Sequence, residues 1–306
     1  TEVPQPEKFA LAEKTTVYYA DGTTPIGSYA EQNREIISCE GLPDYVGNAI
    51  VASENRTFYT DKGLDLKGIA RAFINNVTKG TRQGGSTITQ QLVRNTILSE
   101  EQFDNTIERK VREAWIALQM EKIFSKEEIL TMYLNAINFG HGAYGIQAAA
   151  QTYFSKNASD LTLAEAALLV GLPNAPSQYD PTVNPDLAIQ RRNIVLSRMV
   201  RNGVISQEEA DAAAAEELAL NVTEQPDNGM YAYPYFVEYV RGMLTEEFAT
   251  DVLFAGGLTI KTTIDPTIQS QAEQAALEYM NELGVDELNV GMTVIDPKTG
   301  YIKAMV

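Results

Sequence analysis

Apolar residues between about Pro43 and Glu217 recur with a helical period. Leu66, Ile69, Ala70, Phe73, Ile74 and Val77 share one stripe, as do Ile107, Val111, Ala114, Trp115 and Leu118, and then Ile129, Met132, Tyr133 and Ile137. Residues 164–172 predict a short apolar helix stopped by Gly171 and Pro173, and the proline-rich stretch 174–185 predicts a loop. Ser206 and Glu209 have capping-box spacing ahead of an alanine-rich helix. The texture differs at both ends. Thr15–Tyr19 and Pro25–Tyr29 flank Asp21-Gly22 and predict a hairpin. After Pro226, residues 254–264, 290–295 and 301–306 alternate like strands, with a helix near 266–283 between them. Residues 1–42 therefore read as a lead-in and hairpin, 43–222 as one mainly α domain, and 223–306 as a small α+β segment.

Composition narrows the class. The chain has 306 residues, 44% hydrophobic and 21% charged, which suits a globular core and excludes disorder and fibre. Cys39 is the single cysteine, so an internal disulfide and a thiolate zinc cluster are excluded; it reads as a small buried hydrophobe. The lone His141 reads as a turn residue, and Trp115 as core. The net charge of −17 is uneven: residues 204–306 hold 18 acidic against 4 basic residues, while residues 1–203 hold 23 against 20. That balance argues against nucleic acid but not against a small anionic substrate held by a few local cations. No apolar run reaches the roughly 18 residues of a membrane span. Both ends read as cuts, Thr1 lacking a methionine and Val306 falling in a strand-like run, so a missing signal or anchor has no weight.

Four stretches carry chemistry. Glu54, followed by Asn55, Phe58 and Gly63, lies in a short polar turn between apolar segments, where a carboxylate is placed to be a partly desolvated base or simply to end a helix. Gly84-Gly85-Ser86-Thr87 opens a helix carrying Gln90, Gln91, Arg94 and Asn95. Its exposed N–H groups and arginine suit a phosphate, whereas a plain capped helix would need fewer long polar side chains. Arg109, Lys110 and Glu113 share a helix face, either as a surface ion pair or as a carboxylate beside two cations. Tyr133-Leu-Asn135 runs into Gly140, Gly142, Tyr144 and Gly145, a helix end and a glycine-rich turn.

In order and spacing these stretches resemble the five motifs of the family 51 peptidoglycan glycosyltransferases, the catalytic domains of class A penicillin-binding proteins. The second motif, G-G-S-T-I-T-Q-Q, is intact from Gly84 to Gln91; the third, R-K-x-x-E, is Arg109-Lys110-Val-Arg-Glu113. The fourth is carried by 126–135, and the fifth, R-R-x-x-V-L, by Arg191, Arg192, Val195 and Leu196. The first, E-D-x-x-F-x-x-H-x-G, departs twice: Asn55 stands where the family has Asp, and Asp61 where it has His. The similarity covers about Thr16–Glu217 and continues more loosely to Val306, where it resembles the linker and first strands of a penicillin-binding transpeptidase domain.

The resemblance implies a mainly α, lysozyme-like fold and the polymerisation of lipid II, with inversion and release of undecaprenyl pyrophosphate. It makes Glu54 the general base and Glu113 the second catalytic carboxylate. Asn55, Phe58, Gly85, Ser86, Thr87, Gln90, Gln91, Arg94, Asn95, Arg109 and Lys110 become substrate-binding. A divalent cation (Mg or Mn) at the pyrophosphate, with Glu113 as ligand, is a candidate cofactor; no organic cofactor is implied. Implied partners are lipid II, the growing glycan chain, the membrane surface, other cell-wall synthesis proteins and the inhibitor moenomycin. The implied location is the outer face of the cell membrane, with an N-terminal anchor outside this chain. The apolar stripe of residues 64–77, with Lys67, Arg71 and Lys79, is the candidate membrane-facing patch.

Three other readings compete. A lysozyme-like hydrolase or lytic transglycosylase would also use two carboxylates, but has no need of the cation cluster. A transpeptidase is excluded for this chain, because no Ser-x-x-Lys occurs and Lys298-Thr-Gly300 reads as a hairpin turn. A catalytically degenerate glycan-binding domain rests only on Asn55 and Asp61.

Overall fold

A computed structural model describes residues 11–30, 32–65, 85–99, 106–222, 233–283 and 290–306. The chain forms two compact units, one of Thr1–Leu11 and Arg34–Thr223, the other of Ala12–Asn33 and Glu224–Val306.

The first unit is helical. Its helices are α1 (Asp44–Glu54), α2 (Ile88–Asn95), α3 (Ile107–Ile123), α4 (Lys126–Ala136), α5 (Ile146–Phe154), α6 (Leu163–Gly171), α7 (Pro185–Arg201) and α8 (Gln207–Ala215). Capping boxes start α2, α4, α6 and α8, each a Ser or Thr paired with a Glu or Gln three residues on. Each satisfies N–H groups the first turn leaves open. The apolar run 166–170 makes α6 the hub: Ala166 through Leu172 are buried, and α6 packs against α1 and α7. Helix α2 packs against α3 and α4. Ile50, Ile88, Leu92, Ile116, Met120, Ile129 and Tyr133 close the core between them.

Between α4 and α5 the chain turns through Gly140, His141, Gly142 and Gly145, all at positive φ. His141 is a turn residue, its Nε2 2.9 Å from Asp180 Oδ2. Gly145 has φ 85° and ψ 157°, a region open almost only to glycine, and a Cβ there would lie 2.8 Å from Asn135 O. Gly145→Ala should therefore lower stability by about 1–3 kcal/mol, read as a lower denaturant midpoint at unchanged slope.

The second unit is α+β. Strand β1 (Thr15–Tyr18) pairs antiparallel with β2 (Pro25–Tyr29) and parallel with β3 (Thr259–Lys261). Helices α9 (Pro234–Glu247) and α10 (Thr250–Ala255) precede β3, and α11 (Pro266–Leu283) leads to the hairpin of β4 (Thr293–Ile295) and β5 (Ile302–Met305). At the first hairpin turn, the Thr24 hydroxyl and the Thr24 and Thr23 amides bond Asp21 and push its carboxyl down to about 2. Residues 296–300 form a turn with Gly300 at φ 73°.

Two sequence expectations change here. The hairpin belongs with the C-terminal segment through β1–β3 pairing, not with a lead-in of its own. Residues 254–264 are not one strand: Phe254 and Ala255 belong to α10, and pairing is confined to 259–261.

Candidate active site

The site is built around α2. Helix α1 ends at Glu54, half-buried, whose carboxylate accepts from two directions. Gln91 Nε2 on α2 donates to Oε2 at 3.1 Å, and Asn174 Nδ2, just beyond α6, donates to Oε1 at 3.0 Å. Tyr133 on α4 fixes the Gln91 amide by donating its hydroxyl to Oε1 at 3.1 Å. Burial, and then the Glu54 charge, holds the Tyr133 hydroxyl far above its ordinary range, so it remains a donor. The same electrostatic neighbourhood includes Arg94, in the last turn of α2, and Arg198 of α7. Burial, and then the neighbouring Arg191, pull the Arg198 guanidinium down, with Glu54 opposing. Arg198 bonds the Ser53 carbonyl at 2.9 Å and so braces the end of α1. Among the described residues, the Arg94 side chain makes no hydrogen bond or ion pair.

The turn after Glu54 is tied down internally. Asn55 donates to Asp61 Oδ2 at 3.0 Å and accepts from Thr57 Oγ1 at 3.0 Å. Phe58 is fully buried, with Lys126 Nζ 4.6 Å from its ring centroid. Thr87 Oγ1 donates to Gly63 O at 2.7 Å, and the Thr87–Gln90 cap closes beneath it. Of the residues the resemblance makes substrate-binding, Phe58, Asn55, Thr87 and Gln90 are buried here, the last three holding the turn through side-chain hydrogen bonds.

On α3, Arg109 Nη1 lies 2.5 Å from Glu113 Oε2, both side chains essentially without exposure. Lys110 Nζ lies 3.1 Å from Glu113 Oε1 and reaches Ser86 Oγ at 3.3 Å, with nearly half its side chain exposed. The pair is thus not a surface ion pair. Arg109 serves Glu113, and Lys110 is the accessible cation. Both Glu113 oxygens are engaged by cations, and among the described residues no three Asp, Glu, His or Cys side chains gather. To ligate a divalent cation at a pyrophosphate, where substrate phosphates and water supply most of the ligands, Glu113 would have to exchange one of these cations for the metal.

The buried face of α3 carries Arg109, Glu113, Ile116, Ala117 and Met120. The stripe expected in the core is turned outward instead: Ile107 is 84% exposed, Val111 62% and Trp115 47%. Mutual neutralisation lets Arg109 and Glu113 occupy the inner face, and the helix rotates accordingly.

Of the fifth motif, Arg192 bonds the Ala214 and Glu216 carbonyls at the end of α8, and Val195 and Leu196 are core. Asn135 bonds Ile37 on both its N–H and C=O, a structural clamp. Cys39 is half-buried against the core. Gly85 precedes α2 and Asn95 is its last residue, both half-buried. Gly84 and residues 66–77 of the expected membrane patch lie outside the described residues. Sequence reasoning missed Asn174 and Arg198 and left Tyr133 out of the site. A polar residue framed by Pro173 and Pro176 was the one available signal for Asn174.

Residues 22–200 match the Transgly family, described as transglycosylase. Penicillin-binding protein 1F of Bacillus subtilis is 38% identical over 98% of this chain and 42% of its own length. Penicillin-binding protein 1A of Aquifex aeolicus is 40% identical over 90% of this chain and 37% of its own. A crystal structure of penicillin-binding protein 1A from Haemophilus influenzae aligns at 25% identity and TM-score 0.48, over 94% of this chain and 32% of that one. The chain thus spans about two fifths of these curated relatives or less.

Proposed function

The chain belongs to the transglycosylase family, the family 51 peptidoglycan glycosyltransferases with a mainly α, lysozyme-like fold, and on that premise we propose that it polymerises lipid II into glycan strands. Glu54 takes the proton from the acceptor sugar's 4-hydroxyl. The freed oxygen bonds the anomeric carbon of the lipid-linked donor with inversion, the bond from that carbon to the pyrophosphate breaks, and undecaprenyl pyrophosphate leaves. Lys110 and Arg94, the cations with the least internal commitment, meet its charge. Ser86 and Gln91, already bonded to Lys110 and Glu54, offer the substrate further polar contacts, while Glu113, paired with Arg109, holds Lys110 in place.

The observation that carries this reading is the Glu54 carboxylate held by Gln91 and Asn174 at the helix that also meets the Lys110–Ser86 pair. A plain helix-terminal glutamate needs no such cradle. Incubating the purified chain with lipid II tests it. Glycan polymer is expected and moenomycin should suppress it; no polymer, or hydrolysis of preformed glycan instead, overturns it.

A lipid-linked substrate is taken from a bilayer surface, so the protein works at the outer face of the cell membrane. Among the described residues no helix is long and apolar enough to cross it. The outward stripe of α3, with Ile107, Val111 and Trp115 at successive helical turns beside Lys110, suits an anionic bilayer surface. Val111→Ser with Trp115→Ser should weaken binding to anionic liposomes severalfold while leaving the melting temperature within about 2 °C, since exposed substitutions cost little. A large drop in melting temperature would show that the stripe is packed. The final segment of the chain belongs, on this reading, to the start of a transpeptidase domain.

A further inference from the structure

We propose that Asn55 and Asp61, the two departures from the first motif, are one coupled unit that positions the turn bearing Glu54. The two residues bond each other, Asn55 Nδ2 to Asp61 Oδ2 at 3.0 Å, with the Thr57 hydroxyl 3.0 Å from Asn55 Oδ1 and 3.2 Å from Asp61 Oδ2. Asp61 Oδ1 accepts from Gly63 N at 3.1 Å and faces Lys126 Nζ at 3.3 Å. Lys126 is also 2.6 Å from Glu121, which accepts from Thr89 of α2 at 2.5 Å. The turn after Glu54 is thereby tied to α2, α3 and α4 through one charged cluster of low exposure.

Charge arithmetic explains why both positions differ together. Lys126, Asp61 and Glu121 sum to −1 beside a neutral Asn55. With the family's Asp at 55 and a neutral His at 61, the same scaffold again sums to −1. A hydrogen bond remains chemically open with the direction reversed, since a His at 61 can donate to an Asp at 55, whereas here residue 55 donates and 61 accepts. Changing one position alone breaks both balances. Asn55→Asp faces a second carboxylate across about 3 Å, where two like charges cannot both ionise easily. Asp61→His takes from Lys126 one of its two carboxylates.

The positioning half of the proposal rests on Glu54 as the base; the coupling half does not. The test is a double-mutant cycle on the full chain with Asn55→Asp, Asp61→His and both together. Melting temperature is read without substrate, and kcat and KM for lipid II polymerisation are read where every variant is folded. Each single change should lower the melting temperature and cut kcat at least tenfold with KM within twofold. The double should return to within threefold of the parent kcat and recover most of the lost melting temperature. Should Asn55→Asp not fold, a double that folds supports the coupling, and Asp61→Asn supplies the single-site kcat. Additive losses in melting temperature overturn the coupling. Coupled melting temperatures with unchanged kcat in the singles overturn the positioning role. Activity surviving in Glu54→Gln would instead sink the base assignment and leave the melting-temperature cycle standing.

Discussion

Glu54→Gln should reduce polymerisation by roughly 10²–10⁴, the usual contribution of a positioned general base. The shape survives, so the loss falls on kcat. The cradle is not indifferent, however. Gln91 Nε2 and Asn174 Nδ2 both donate to the carboxylate, so a glutamine must turn its own amide toward one of them. Tyr133 holds the Gln91 amide against flipping. The strain of one opposed donor pair should cost about 1–2 kcal/mol of stability. Steady-state polymerisation and thermal melting separate the two effects, and a mutant with more than a few per cent of activity would remove Glu54 from the chemistry.

Glu113→Gln should act chiefly through the fold. It turns the charged Glu113 partner of the buried Arg109 guanidinium into a neutral amide, at about 3 kcal/mol. For a unit of this size that is roughly 6–12 °C in melting temperature. Polymerisation should fall as well, because Lys110 loses the carboxylate that holds it 3.3 Å from Ser86. Replacing the pair together, as Arg109→Met with Glu113→Leu, separates these roles. Stability should largely return, as buried ion pairs often exchange for apolar residues without loss. Activity should not. A double variant that polymerises normally would reduce the pair to scaffolding.

Legibility in the sequence followed the range of the forces involved. The cap at Ser206–Glu209, the helix 266–283 and the turns at Asp21-Gly22 and 296–300 are fixed by neighbours a few residues away, and the local pattern reveals them. Helix α3 defeated it. Periodicity identifies a stripe but not which way it faces, and the buried Arg109–Glu113 pair turned Ile107, Val111 and Trp115 outward. Asn174 reaches Glu54 across 120 residues, and no local pattern announces such a contact. The intact second motif pointed to the right helix. It did not separate Gln91, which meets Glu54, from Thr87 and Gln90, which serve the cap.

Strand β1 lies between β2 and β3, and Leu258 N donates to Thr15 Oγ1 across 243 residues. A ribosome delivers β1 first and its second neighbour last. At 5–20 residues per second, the hairpin waits roughly 12–50 s with one edge unpaired. Such an edge is a template for other strands. Any chain that terminates prematurely before Thr259 never closes it, so incomplete products should surface as aggregates rather than as a smaller soluble enzyme. Closure of the sheet therefore waits on synthesis of the whole helical unit that separates its strands in sequence.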